Sequence, residues 1–323
     1  MLFPASAART SCSLMFRNCA TALALALFAS PSDAVILDSS GDPLVNRTAP
    51  TGALADSGWQ YLGLWGNFIG TPVAQDWFVT AKHVGGNVGQ NFTFDGMTYP
   101  TVGVVSDPDT DLNFWQVAGN FPTWAPLYTG NDEIGQPLTV FGRGTQRGTE
   151  VIGADNGLRG WRWGLADGQV RWGTNTVTGI FDGGAGVGEL LHAEFNHIGG
   201  SEAHLSAGDS GGPVFIQDTD GVWKLAAVNY AVTGPFYTDA QGGGEFLAAL
   251  FDSSGFFVRD GPNTFAPTTG PTSFFSTRIS DRQVFITGSV PEPSSAVLLV
   301  AAAACALRRR RRPEAIELPL LAA

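Results

Sequence analysis

From about residue 59 to residue 289 the chain alternates short apolar runs with Gly, Pro, Asn and Asp. The runs include Trp77–Thr80, Phe92–Phe94, Thr101–Val105, Phe114–Val117, Leu138–Phe141, Gly212–Ile216 and Trp223–Tyr230. Runs of this length, with turn residues at short spacing, predict the strands of a sandwich or barrel. No repeat of fixed period is present. Two stretches predict helices, Glu245–Phe251 and Ser273–Ile286; in the second, Phe275, Ile279 and Ile286 share one helix face. The segment Asp260–Pro271, rich in Pro, Gly and Thr, predicts a surface loop.

Composition sharpens that pattern. The 323 residues include 42 glycines and 19 prolines, with 44% hydrophobic and 15% charged residues. This is a folded, turn-rich chain and too apolar for disorder, and helical bundles tolerate far less Gly and Pro. The expected class is all-β. The two ends follow other rules. Arg9 and Arg17 precede the apolar run Ala20–Ala29, and Ser32-Asp33-Ala34 places small residues where a signal peptidase reads, so residues 1–34 read as a secretory leader. Met15 begins a tidier leader of its own. At the other end Val290-Pro291-Glu292-Pro293 precedes a short apolar stretch, 294–307, and five arginines at 308–312. The order resembles the PEP-CTERM sorting signal of exported proteins in Gram-negative bacteria. That resemblance implies recognition by an exosortase-type sorting enzyme and at least transient anchoring of the tail, 290–323, in the membrane of the cell envelope. The residues Pro313–Ala323 after the arginines depart from it, since such tails end sooner.

Without its ends the chain is strongly acidic. Residues 35–289 keep 11 of the 18 Lys and Arg and 25 of the 29 Asp and Glu, a net charge of −14. That excludes nucleic acid as a partner, because phosphate binding needs a basic face. Cys12, Cys19 and Cys305 all lie in the ends, so the expected domain 35–289 folds without a disulfide. No His-Glu-x-x-His pattern or Cys/His cluster calls for a metal, and no cofactor is expected.

The residues that carry chemistry begin with Ser206-Ala207-Gly208-Asp209-Ser210-Gly211-Gly212-Pro213-Val214. A serine nucleophile needs an adjacent base and a place for an oxyanion, and glycines let backbone N–H groups converge on one point. The run also fits the Gly-x-Ser-x-Gly elbow of esterases, in which the histidine follows the serine. Here the histidines are His83, His192, His197 and His204, all before Ser210, and the elbow reading fails. His83, at the end of the apolar strand Val79-Thr80-Ala81-Lys82-His83-Val84, is the expected base. His192 and His197 stand in polar, Gly-flanked surroundings and read as solvated or structural. The third member is a carboxylate that orients the histidine. Of Asp107, Asp109 and Asp111, only Asp111 abuts the apolar run that follows; Asp107 and Asp109 read as turn residues.

These three blocks, in this order, resemble the chymotrypsin/trypsin family of serine proteases. The serine block matches its Gly-Asp-Ser-Gly-Gly-Pro in full. Thr80-Ala81-Lys82-His83 matches its Thr-Ala-Ala-His with Lys82 in place of alanine, and Asp111-Leu112-Asn113-Phe114 matches more loosely. The resemblance runs from about Trp59 to about Ile286. It implies two six-stranded antiparallel β-barrels split near 150, a C-terminal helix, and a site in the cleft between the barrels. It implies Ser210 as nucleophile, His83 as general base and acid, Asp111 as orienting acid, and the N–H groups of Gly208 and Ser210 as the oxyanion hole. Asn229, Tyr230 and Ala231 would bind substrate. His204 falls at the base of the primary pocket, where trypsin has an aspartate; preference for Arg or Lys is not expected, and a histidine there would suit an acidic side chain. In many relatives the carboxylate at Asp209 pairs with a freed N-terminus. No Arg-Ile-Val-Gly-Gly activation sequence occurs here, which leaves an internal arginine as its expected partner. The activity implied is that of an exported, monomeric endopeptidase. The rival class is an inactive protease-like module that binds extracellular protein, and it would gain if His83 lay out of reach of Ser210.

Overall fold

The computed structural model describes residues 35–290. The expected leader and, beyond Val290, the expected sorting tail lie outside the described residues. Strand β1 (Ile36–Leu37) is followed by β2 (Gly63–Trp65), β3 (Phe68–Ala74), β4 (Trp77–Ala81), β5 (Asn91–Phe94), β6 (Met97–Ser106) and β7 (Leu112–Val117). The last six close an antiparallel barrel in the order β2-β3-β4-β7-β6-β5. There follow β8 (Pro137–Gly142), β9 (Thr145–Ile152), β10 (Leu158–Ala166), β11 (Arg171–Thr176), β12 (Gly179–Asp182), β13 (Glu189–Glu194), β14 (Ala203–His204) and β15 (Pro213–Gln217). The chain ends with β16 (Trp223–Val232), β17 (Phe236–Tyr237), β18 (Ala248–Leu250), β19 (Phe257–Arg259), β20 (Phe265–Pro267), β21 (Ser273–Arg278) and helix α1 (Gln283–Ser289). The fold is all-β with a C-terminal helix.

The second half is a seven-stranded antiparallel sheet, β11-β8-β15-β16-β21-β13-β12. Six strands wrap toward closure: Asn175 of β11 donates through Nδ2 to Glu194 O of β13 at 3.0 Å, and β12 is added outside β13. The chain passes from barrel to sheet between Val117 and Pro137, ahead of the expected split near 150. Two three-stranded sheets, β18-β10-β9 and β17-β19-β20, stand outside this frame. No described helix is long and apolar enough to cross a membrane.

Why the strands read as unbroken apolar runs is visible in β4, where all five residues are buried. Successive side chains face opposite sides of a strand. Phe78 points into the barrel, stacked on Phe92 at 3.9 Å and packed with Trp65 and Trp115. Trp77, Val79 and Ala81 point the other way, into a core shared with Phe141, Phe215 and Leu225 of the second sheet. The same shared core receives Ile279, Ile286 and Val290, so the C-terminal segment closes over both halves.

Two expected helices are corrected. Ser273–Arg278 is strand β21, hydrogen-bonded between β16 and β13, and the helix begins only at Gln283. Ser-Phe-Phe-Ser-Thr is a sequence of strand formers, with Phe274 buried and Phe275 half-buried against Phe181; Ile279 and Ile286 do share a core, but across a 3-10 turn. Glu245–Phe251 yields strand β18 rather than a helix, because Ala248–Leu250 pair with the free edge of β10. The expected loop Asp260–Pro271 carries the short strand β20.

Candidate active site

His83 sits in a single 3-10 turn, Lys82–Val84, at the end of β4. Asp111 directly precedes β7, which pairs with β4, so one ladder fixes both. Lys82 N–H donates to Asp111 O at 2.7 Å, and Lys82 Nζ donates to the carbonyls of Asp107 and Thr110. The lysine that departs from the family pattern therefore ties the acid-bearing loop to the histidine's strand. Asp107 makes the expected turn, its Oδ1 accepting the Asp109 N–H at 3.0 Å, but it does more. It is fully buried and holds Arg282 in two hydrogen bonds of 2.8 Å. Burial pushes its pKa up, but the Arg282 guanidinium and the Asp109 N–H together outweigh that and leave it below the ordinary value. Asp109 remains exposed in the loop and meets the same guanidinium at 2.9 Å.

Asp111 Oδ2 lies 2.5 Å from His83 Nδ1, while its Oδ1 accepts the His83 backbone N–H at 3.0 Å. A carboxylate only accepts, so Nδ1 carries the proton and the lone pair is left on Nε2. That nitrogen stands 2.8 Å from Ser210 Oγ. The Asp111 side chain is 10% exposed and that of His83 40%, so the acid is shielded while the imidazole opens on the cleft. Tyr230 packs edge-on against the imidazole at 5.7 Å.

Ser210 is held by its neighbours in the loop between β14 and β15. Gly211 adopts φ +78°, and a Cβ there would lie 2.3 Å from Thr80 Oγ1. Gly208 adopts φ +97°, with a hypothetical Cβ 2.9 Å from Gly144 Cα. Both positions demand glycine. Asn229 clamps the loop from β16, donating through Nδ2 to Phe141 O and Asp209 O. Among the described residues neither the Gly208 nor the Ser210 N–H has an acceptor, while Asp209, Gly211 and Gly212 all do.

Asp209 differs from expectation. It is buried, and no arginine pairs with it among the described residues. Its oxygens accept the N–H groups of Ser206 and Gly144, each at 2.7 Å, the Ser206 hydroxyl at 3.1 Å, and the N–H of Val35. Burial pushes its pKa up to about 6, against the pull of those donors. Val35 is itself buried, with φ +58°, a conformation that a β-branched residue rarely adopts.

A cavity of about 110 Å³ opens beside Ser210, lined by Trp163, Leu205, Ala207, Tyr230, Ala231 and Val232, with Asn229 at its back. Asn229, Tyr230 and Ala231, the expected substrate residues, all line it. His204 does not line it. Its side chain is fully buried, with Nδ1 2.7 Å from Leu205 O and Nε2 3.1 Å from Thr272 Oγ1, and burial lowers its pKa to about 4. It is uncharged at neutral pH, so the guess of an acidic preference through His204 loses its basis. Trp163, from the β9–β10 hairpin, forms a wall that no motif announced. His192 and His197 take structural partners, Thr178 and Asp38. No group of His, Cys, Asp and Glu that could hold a metal occurs among the described residues.

No protein-family model and no curated protein matches the sequence. Among solved structures the chain is similar to neuropsin, a serine protease expressed in the limbic system of mouse brain. The two share 13% identity at a TM-score of 0.43, over 72% of this chain and 96% of that one. The roles assigned to His83, Asp111 and Ser210 rest on the distances above rather than on that likeness.

Proposed function

We propose that the protein is an exported serine endopeptidase of the chymotrypsin/trypsin type. The observation that carries this is one continuous chain: Asp111 holds His83 Nδ1–H, and His83 Nε2 faces Ser210 Oγ at 2.8 Å. As Oγ attacks the peptide carbonyl carbon, Nε2 takes its proton, and Asp111 stabilises the imidazolium. The oxyanion falls to the N–H groups of Gly208 and Ser210. Collapse breaks the C–N bond, and His83 returns its proton to the leaving amine. Water, deprotonated by the same nitrogen, then cleaves the ester on Ser210. The inactive-module rival would have gained from a His83 out of reach of Ser210, and the 2.8 Å separation gives it no such support.

The primary pocket is mainly apolar; its one lining carboxyl group, Asp209, is taken up by the N–H groups of Ser206 and Gly144. At about 110 Å³ it is smaller than the ~150 Å³ cavity that takes up benzene, so a small aliphatic side chain is the expected occupant. Export also bears on Asp209. Removal of the expected leader after Ala34 would turn the Val35 N–H into an ammonium beside a buried carboxylate that lacks a cation. That supports leader removal, in place of a separate zymogen cut, as the step that completes the site. The acidic domain would reach the envelope with its PEP-CTERM-like tail, handed to an exosortase-type enzyme, and act as a monomer on protein or peptide. A serine-directed organophosphonate tests the central claim. It should label Ser210 and stop peptide hydrolysis; near-normal hydrolysis by Ser210→Ala would sink the mechanism.

A further inference from the structure

A second pocket, about 490 Å³, lies on the other side of Trp163, lined in part by Thr145, Arg162, Glu245 and Phe246. Trp163 and Ala207 line both this pocket and the one beside Ser210, so the two are contiguous. Adjacent side chains of a regular strand face opposite sides. Strand β10 breaks register between Trp161 and Trp163, and both Arg162 and Trp163 front the same space. An irregularity that re-aims a side chain beside an active site is a built feature.

The charge there is unspent. The Arg162 guanidinium lies 4.4 Å over the Phe246 ring, which fixes it while leaving its N–H edges open. Other guanidinia of the second half have oxygen partners: Arg159, Arg171, Arg278 and Arg282 hold carboxylates, and Arg143, Arg147 and Arg259 hold carbonyls. Among the described residues Arg162 has neither, although the chain carries excess carboxylates. Glu245, on the same pocket, accepts the Tyr237 hydroxyl at 3.0 Å. Glu245 keeps its charge and its second oxygen but forms no ion pair with Arg162, so the guanidinium is left open to a carboxylate from a ligand, which its planar fork fits in two parallel bonds.

We propose that this pocket is a substrate subsite for an acidic side chain near the scissile bond, with Arg162 as its specificity-determining cation. The inference rests on the peptidase reading above. It is tested with protein expressed as the full chain and peptides carrying a small aliphatic residue at the cleavage point, with Glu or Gln placed at each flanking position in turn. At one position the Glu peptide should be cut roughly two- to fivefold better, chiefly through KM, the size of one partly exposed ion pair. The ratio should shrink as salt is raised. Arg162→Gln should bring it to about one, and Arg162→Glu should favour Lys over Gln at that position. Equal cleavage of Glu and Gln peptides at every position, or a preference that survives in Arg162→Gln, overturns the proposal. Binding to Ser210→Ala separates it from the peptidase reading. If nothing is cut yet Glu peptides bind Ser210→Ala more tightly than Gln peptides, and Arg162→Gln removes the difference, the subsite stands without the chemistry. Equal binding there overturns it as well.

Discussion

Ser210, His83 and Asp111 are each fixed by a different neighbour: the glycines and Asn229, the end of β4, and the Lys82-tied loop. Because they pass one proton along one line, losses at them do not add. Alanine at any of the three should lower kcat by roughly four to six orders of magnitude, and the triple variant should be little worse than Ser210→Ala, as steady-state peptide hydrolysis would reveal. These residues were legible in the sequence because each needs a rigid local signature: a strand end, an Asp against an apolar run, glycines beside serine. His204 was placed wrongly by counting back from Ser210, since sequence distance does not say which way a side chain turns. Asp209 supplies a second test. Its pKa is raised from 3.8 to about 6, so the native state holds a proton that the unfolded chain has lost. Stability should therefore fall as pH rises from about 4 to 6, by roughly 3 kcal/mol from this group. Urea midpoints at pH 4.5 and 6.5 should show that slope in the chain with its leader attached, and Asp209→Asn should flatten it.

At the scale of elements, strands were readable as unbroken apolar runs wherever both faces met a core, as in β4, β7 and β15. That reading failed at Ser273–Ile286, where β21 and α1 adjoin and one helix-like spacing spans both. It failed again at Ala248–Leu250, whose strand character comes from the edge of β10 and not from its own residues. The C-terminal helix is anchored by chemistry that spacing could not reveal, the Arg282 guanidinium on buried Asp107. Arg282→Met should leave that carboxylate buried without its cation and cost about 3 kcal/mol in urea unfolding. Adding Asp107→Asn should recover part of the loss, since no uncompensated charge remains. A double variant as unstable as the two single losses summed would mean that the pair is not coupled.

At the scale of the molecule, the resemblance located a cleft between two β halves, but not the outer sheets formed by β9, β10 and β18 and by β17, β19 and β20. Those outer strands carry Trp163 and Arg162 to the cleft, in segments where no family motif lies. The N-terminal strap shows how the whole chain bears on one site. Arg147 donates to Asp38 O at 2.6 Å, β1 pairs with β14, and these hold Val35 against Asp209, which stands between the two N–H groups proposed to receive the oxyanion. With the Ala34–Val35 bond intact, Val35 offers one N–H from a strained left-handed conformation. Once cut there, the residue has no φ to strain and offers an ammonium with three donors. The cation should draw the Asp209 pKa down and remove the pH slope described above. It should also steady the Gly208–Ser210 turn, whose loss would forfeit an oxyanion donor. Protein beginning at Val35 should then turn over a common peptide on the order of a hundredfold faster than protein retaining residues ahead of Val35. In an Asp209→Asn background the two forms should be alike. Equal turnover of the two forms with Asp209 intact would show that the strap packs without switching the site.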